Sequence, residues 1–309
     1  MEGMLRRQFL AASLFCVPSV PALERIGRGR LSALTDEIAR SPAEALAFAE
    51  QYGLRWLELR NVPGRRHGYW ALPEAEQKSA AREFRDRGIG ISFLNAGLLK
   101  ITLPGTEPLA AARWTPDVRA RRLDQDRQAF DRRLEDLKQV IRCAHIFQVD
   151  LIRVFAFWRV ADPLSIQQRV ADIIGEMAEL CGREGVRLAV ENEAACSVAT
   201  SAELAALVKL LPSKTVGINW DPLNGVHRGE SAFPDGYNLL PKERIWNVQA
   251  KGKSLLEDKE RLPWRAIFQA LERDGYRGKV GLETHYLDGT DPEKSHFAIR
   301  ELIRITEET

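Results

Sequence analysis

The chain has 309 residues, 45% hydrophobic and 28% charged, enough for a large buried core in one large domain or two medium ones. Its 45 basic and 43 acidic residues leave a formal charge of +2, which excludes a global field able to hold a polyanion such as DNA. That balance suits a small neutral or mildly anionic ligand.

The first two dozen residues read as an address. Arg6 and Arg7 precede Gln8, Phe9 and an apolar run from Leu10 to Val20 that is too short to span a bilayer. Twin arginines before a moderately apolar segment resemble a Tat signal, and Val20-Pro21-Ala22 offers small residues for cleavage. Residues 1–22 are therefore expected to be removed on export, leaving a periplasmic or secreted domain over 23–309 with no membrane attachment. Lipid attachment at Cys16 is disfavoured by the bulky Phe15 before it. Cys143, Cys181 and Cys196 are odd in number and lack CxxC spacing, so they are expected to be buried small hydrophobes.

From residue 30 onward, short β-branched or apolar runs alternate with longer helical patterns, the signature of repeated βα units around a parallel sheet. The predicted strands are Arg30–Thr35, Arg55–Arg60, Gly90–Asn95, Leu151–Phe157, Arg187–Glu191, Val216–Trp220, Ile245–Ala250 and Val280–Thr284. The predicted helices are Pro42–Tyr52, Pro73–Arg87, Asp117–Gln148, Pro163–Glu184, Ser201–Leu210, Pro263–Asp274 and Asp291–Glu307. Ser41-Pro42, Asp162-Pro163 and Asp291-Pro292 look like N-caps followed by proline at the first helical position. The mixed charges of the helix from Asp117 read as a solvated face rather than a nucleic-acid surface. Eight βα units in this length predict a single-domain α/β fold, the (β/α)8 TIM barrel. Thr35-Asp36-Glu37-Ile38 stands where a doubly wound sheet would carry a glycine-rich phosphate turn. Ala96–Thr115 and Pro222–Lys242 become long loops expected to cover substrate.

Strand five ends on Glu191, strand six runs into Asp221, and strand eight ends Leu282-Glu283-Thr284-His285. Strand ends converge at one face of a barrel, so three carboxylates meet in a small volume. Unpaired buried carboxylates repel, and a bound cation is the usual resolution. A divalent metal is thus expected.

The strands carry a series of motifs, Leu34-Thr35-Asp36-Glu37-Ile38, Leu57-Glu58-Leu59-Arg60, Ile152-Arg153-Val154-Phe155 and Val190-Glu191-Asn192. The series continues through Trp220-Asp221-Pro222-Leu223-Asn224, Val248-Gln249-Ala250-Lys251 and Leu282-Glu283-Thr284-His285. In this order and spacing the chain resembles the sugar phosphate isomerase/epimerase family of xylose isomerase-like TIM barrels. The resemblance implies a metal on Glu191, Asp221, Gln249 and Glu283, with Gln249 departing from the family's strand-seven histidine. Asn224 stands where many relatives have histidine, and Gly252 where the strand-seven motif has an acid. An all-oxygen shell favours Mn²⁺ or Mg²⁺ over Zn²⁺. The resemblance further implies that Glu191 and Glu283 act as bases on opposite faces of a ketose, keto-sugar or related polyol. One removes a proton to give an enediolate and the other returns one.

Lys251 could stabilise the oxyanion or pair with a strand-end acid. Arg153 reads equally as a substrate ligand or as a barrel-interior partner of Glu58. His285 reads as a packing histidine unless the strand has already ended, in which case it reaches substrate. Asn224 is taken as a substrate contact, His227 lies in a loop free to reach substrate, and Trp158 offers an apolar wall for a sugar face. A lyase or dehydratase on the same fold, including cleavage of keto-glycosides, is the alternative chemistry. A non-catalytic sugar-binding barrel without metal is the alternative class, kept open by Gln249. A DNA-cutting relative is disfavoured by only five histidines and a neutral surface. A homo-oligomer is left open.

Overall fold

A computed structural model describes residues 25–286 and 288–308. Eight strands alternate with helices: β1 (Leu31–Ala33), β2 (Trp56–Leu59), β3 (Gly90–Leu98), β4 (Leu151–Val154), β5 (Arg187–Glu191), β6 (Val216–Trp220), β7 (Ile245–Lys251) and β8 (Lys279–Glu283). They run in the order β1-β8-β7-β6-β5-β4-β3-β2, each parallel to its neighbour. A parallel bridge between Leu34 and Glu58 joins β1 to β2, so the sheet forms a nearly closed single-domain (β/α)8 TIM barrel. The export signal expected over 1–22 lies outside the described residues.

The two-residue period of the strands sorts their side chains. On β5, Leu188 and Val190 join the large apolar cluster shared with the helices, whereas Ala189 packs inside with Phe93 and Leu151. Glu191 is on the Ala189 face, so the alternation that buries the barrel also aims the carboxylate inward. The helices pack outside. Ser41 caps the helix Pro42–Tyr52 by accepting from the Glu44 N–H at 3.3 Å, and Gly53 ends it at φ 64. Cys143, Cys181 and Cys196 are buried free thiols, as their spacing suggested.

Several boundaries differ from the sequence reading. The expected helix Asp117–Gln148 is two helices, Pro116–Asp131 and Arg133–Phe147, meeting at Arg132. The first has no buried residue and the second buries Leu137, Val140, Ile141 and Ala144 against the barrel. β1 stops at Ala33, and Thr35–Ile38 forms one helical turn above it. β4 stops at Val154, and Phe157 takes a left-handed backbone with φ 58. The segment expected as one loop, Pro222–Lys242, carries short helical turns at Pro222–Val226, Ala232–Gly236 and Tyr237–Leu239. Asp162 accepts from the Leu164 N–H, ahead of the 3-10 turn Leu164–Ile166 that leads into the helix Gln167–Arg183. Asp291 lies inside its helix, and its carboxylate accepts from the Tyr286 N–H at 2.7 Å, tying down the loop after β8.

Candidate functional site

The carboxyl ends of β5, β6, β7 and β8 bring Glu191, Asp221, Lys251 and Glu283 together. Ligand oxygens of Glu191, Asp221 and Glu283 lie within 4.8 Å of one another, and all three residues are buried. Lys251 pairs across the β7–β8 ladder with Glu283. Its ammonium contacts Asp221 Oδ2 and stands 3.5 Å from Glu283 Oε2.

A framework of amides and arginines fixes each acid. Glu191 Oε2 accepts from Arg153 Nη1 at 3.1 Å and from Asn219 Nδ2 at 2.5 Å. Asp221 accepts from the Asn224 N–H at 3.1 Å and from Asn224 Nδ2 at 2.9 Å, while Asn192 bonds both to the Asp221 N–H and to its carbonyl. Glu283 stands 3.4 Å from Arg60 Nη1, whose other donors hold Glu37 at 2.8 Å and Asp36 at 3.1 Å.

Deeper in the barrel, Glu58 accepts from Ser32, Asn95, Asn247 and Gln249. Asn247 continues to Asn219, so hydrogen bonds run unbroken from Glu58 through Asn247 and Asn219 to Glu191. Gln249 donates Nε2 to Glu58 at 2.8 Å, which fixes the amide's orientation and leaves its buried Oε1 without a hydrogen bond.

These surroundings treat the two glutamates oppositely. Burial pushes the Glu191 carboxyl up to about 7; Arg153 opposes this, and the negative charge of Glu283 adds to it. Burial acts the same way on Glu283, but Lys251, His285 and Arg60 outweigh it and hold that carboxyl well below the usual carboxylate range. Burial favours a neutral Lys251, yet Asp221, Glu283, Glu193 and Glu191 outweigh it and keep the ammonium charged.

The residues fit a hard divalent cation. Three carboxylates converge, and Gln249 Oε1 and Glu283 Oε2 are buried oxygens with no hydrogen bond. The mouth gathers Asp36, Glu37, Glu191, Glu193, Asp221 and Glu283 against the cations Arg60, Lys100, Arg153 and Lys251, with His285 beside Glu37 and Glu283. Glu37, Glu283 and His285 also bring ligand atoms within 4.8 Å, but the Arg60 guanidinium already bridges those two carboxylates.

The remaining sequence candidates separate. Arg153 is buried and pairs with Glu191 rather than Glu58, with its other donors on the Asn95 and Ala96 carbonyls. Asn224 is buried against Asp221 and the Asn192 carbonyl, so it positions a carboxylate. His227 is exposed and 3.3 Å from Glu260. β8 ends at Glu283, and the left-handed backbone of His285 (φ 52) returns its ring to 3.5 Å from Glu37 and 3.6 Å from Glu283. Trp158 is partly buried, with Lys100 Nζ 5.7 Å from its ring. Sequence reasoning missed Glu37, Arg60, Lys100 and Glu193 as site residues. The charges ending β1 and β2 were the available signal, since both strands end at the same face.

The sequence matches the xylose isomerase-like TIM barrel family over residues 46–308, and the chain belongs to that family. Among solved structures it is similar to a probable 3-DHS dehydratase, AsbF, from Bacillus anthracis, with a TM-score of 0.65 and 16% identity over 88% of this chain and 98% of that one. The IOLI protein with a bound zinc atom gives a TM-score of 0.68 at 15% identity over 90% and 98%. The 3-keto-D-glucoside 4-epimerase of E. coli gives 0.62 at 12% identity over 90% and 99%. At such identities the likeness carries the fold alone. No curated protein matches the sequence.

Proposed function

We propose that this chain is a metal-dependent isomerase or epimerase of a ketose, keto-sugar or related polyol. The observation that carries the reading is the pair Glu191 and Glu283, two buried carboxylates from different strands that meet with Asp221 in one cluster beside the Lys251 ammonium. Two carboxylates converging on one volume from different strands are equipped to take a proton on one face and return it on the other. Glu283, ionised, removes the proton beside the substrate carbonyl, and Glu191 serves the opposite face. Lys251 donates to the oxygen on which negative charge develops. A divalent cation held by Glu191, Asp221, Glu283 and the Gln249 carbonyl oxygen would polarise the carbonyl and acidify the neighbouring C–H. The epimerase and dehydratase neighbours support sugar chemistry on this scaffold.

The test is metal analysis of the purified protein, followed by solvent deuterium exchange into candidate ketoses and keto-sugars. Exchange that needs Mn²⁺ or Mg²⁺ and is lost in Glu283→Gln is the expected result; full exchange retained by that variant overturns the two-base assignment. The dehydratase reading draws on Lys251, whose buried ammonium could protonate a departing hydroxide. Product mass separates the two, because isomerisation conserves mass and elimination does not. Export through a twin-arginine signal is part of the proposal, and the mature N-terminus of the secreted protein tests it.

A further inference from the structure

The same rim of the barrel carries a second feature. A cavity of about 390 Å³ opens between the 96–115 segment and the loops after β4, β5 and β6. Its walls include Trp114, Trp158, Arg113, Arg122, Arg159 and Arg228, and among the described residues no acidic side chain lines it. In a chain with 45 bases and 43 acids, four arginines around one hollow without a carboxylate are a local departure from balance.

Only one of them is fully engaged. Arg159 forks onto Glu203 at 2.8 and 3.1 Å and reaches the Cys196 carbonyl. The Arg122 guanidinium lies over the Trp114 ring, 4.9 Å from its centroid. The side chains of Arg113 and Arg228 have no hydrogen bond or ion pair within the described residues. Like charges around a shared hollow repel, and a guanidinium fork matches a carboxylate or phosphate geometrically. Indole faces beside them suit the flat, apolar side of a ring.

A short run of side chains links the wall of the cavity to the carboxylate cluster. Lys100 contacts Trp158 on one side and pairs with Glu193 at 3.1 Å on the other, and Glu193 lies two residues beyond Glu191. Ala194 and Ala195 of the same loop line the cavity.

We propose that this cavity is an anion subsite, holding a carboxylate or phosphate group of the molecule whose reacting carbon lies over Glu191 and Glu283. Assigning the anion to the substrate rests on the sugar reading above, whereas anion binding itself does not. The substrate class is then an acidic sugar, a uronate or aldonate, or a sugar phosphate.

Calorimetry on the metal-free full-length protein tests it with glucuronate, glucose 6-phosphate and glucose. One of the anionic sugars should bind and neutral glucose should not, with binding weakened by salt. Whichever anion binds more tightly identifies the charged group. The variant Arg113→Gln/Arg122→Gln/Arg228→Gln alters exposed side chains only and leaves the Arg159–Glu203 fork in place. It should weaken anion binding by at least about tenfold, the scale of losing charge-assisted hydrogen bonds. Binding of glucose as tight as that of both anions, no anion binding, or unchanged affinity in the triple variant overturns the subsite. Anion binding without deuterium exchange into any sugar leaves the subsite standing and removes the isomerase reading instead.

Discussion

Glu191 and Glu283 are the same residue type at the ends of two strands of one barrel, yet their surroundings separate them. The sign of the consequence follows from linkage. The Glu191 carboxyl is raised to about 7 in the fold from an ordinary 4.5, so its protonated form is the favoured one. Its contribution to stability is full below 4.5 and is lost as pH rises through about 7. The metal-free protein should therefore lose melting temperature between pH 5 and pH 8, and Glu191→Gln should flatten that slope. Parallel calorimetric curves for the two proteins would contradict the assignment. Divalent cation affinity should run the other way, falling as pH drops below about 7 because Glu191 must shed its proton to ligate.

Gln249 supplies the second argument at this scale. Its N–H donor is held by Glu58, and its carbonyl oxygen is the free end. A histidine there could give one ring N–H to Glu58 and turn its other nitrogen toward a metal, the arrangement in which a carboxylate orients a metal-bound imidazole. Gln249→His is expected to raise affinity for Zn²⁺ more than for Mn²⁺, since imidazole is the softer ligand. Competitive titration with a chromogenic chelator measures the ratio, and an unchanged ratio would show that residue 249 does not ligate.

At the scale of elements, the interior of the barrel holds a network of buried, hydrogen-bonded polar groups that includes Ser32, Glu58, Asn95, Asn219 and Asn247. Gly281 on β8 shows the constraint: a methyl group there would sit 2.0 Å from Glu58 Oε1. Four donors pin that carboxylate, so it cannot step aside. Gly281→Ala should cost about 1–3 kcal/mol, the usual range for overpacking a filled interior. Urea unfolding measures it, and a loss below about 0.5 kcal/mol, the scale of an ordinary surface substitution, would mean that the Glu58 network is loose.

The strands that sequence placed best, β5 and β6, are those whose apolar run ends abruptly at an acid. The strands misjudged by more than one residue at their carboxyl ends, β1, β3 and β4, lack such an end. Thr35 follows β1 with strand-like propensity but begins a helical turn, because the chain must turn off the barrel there. The break at Arg132 was hidden because charges run through both helices, while only the second has an apolar stripe. The ring position of His285 depends on a left-handed residue without glycine, which no local pattern announces.

At the scale of the whole molecule, the part of the site visible in sequence was the part carried by strand ends. Glu191, Asp221, Lys251 and Glu283 follow from counting strands. What was not visible is who holds them, since Arg60 and Glu283 are 223 residues apart and meet only when the barrel closes. The pairing of Arg153 with Glu191 instead of Glu58 likewise depends on strand tilt and register, which spacing does not encode.

That dependence makes cation binding a report on the entire fold. The candidate ligands come from β5, β7, β8 and the turn after β6, and they are held by residues at the ends of β1, β2 and β4. No fragment of the barrel contains this set. A bound ion is then linked to global unfolding, and ligation at about a hundred times the dissociation constant adds about 2.7 kcal/mol to stability. Mn²⁺ added to chelator-stripped protein should raise a single unfolding transition by a few degrees in proportion to the logarithm of its concentration. Asp221→Asn should lose most of that shift while Glu260→Gln, at the exposed His227 pair, should keep it. Equal protection of both variants would place the ion elsewhere, and a shift confined to part of the transition would show that the barrel does not unfold as one unit.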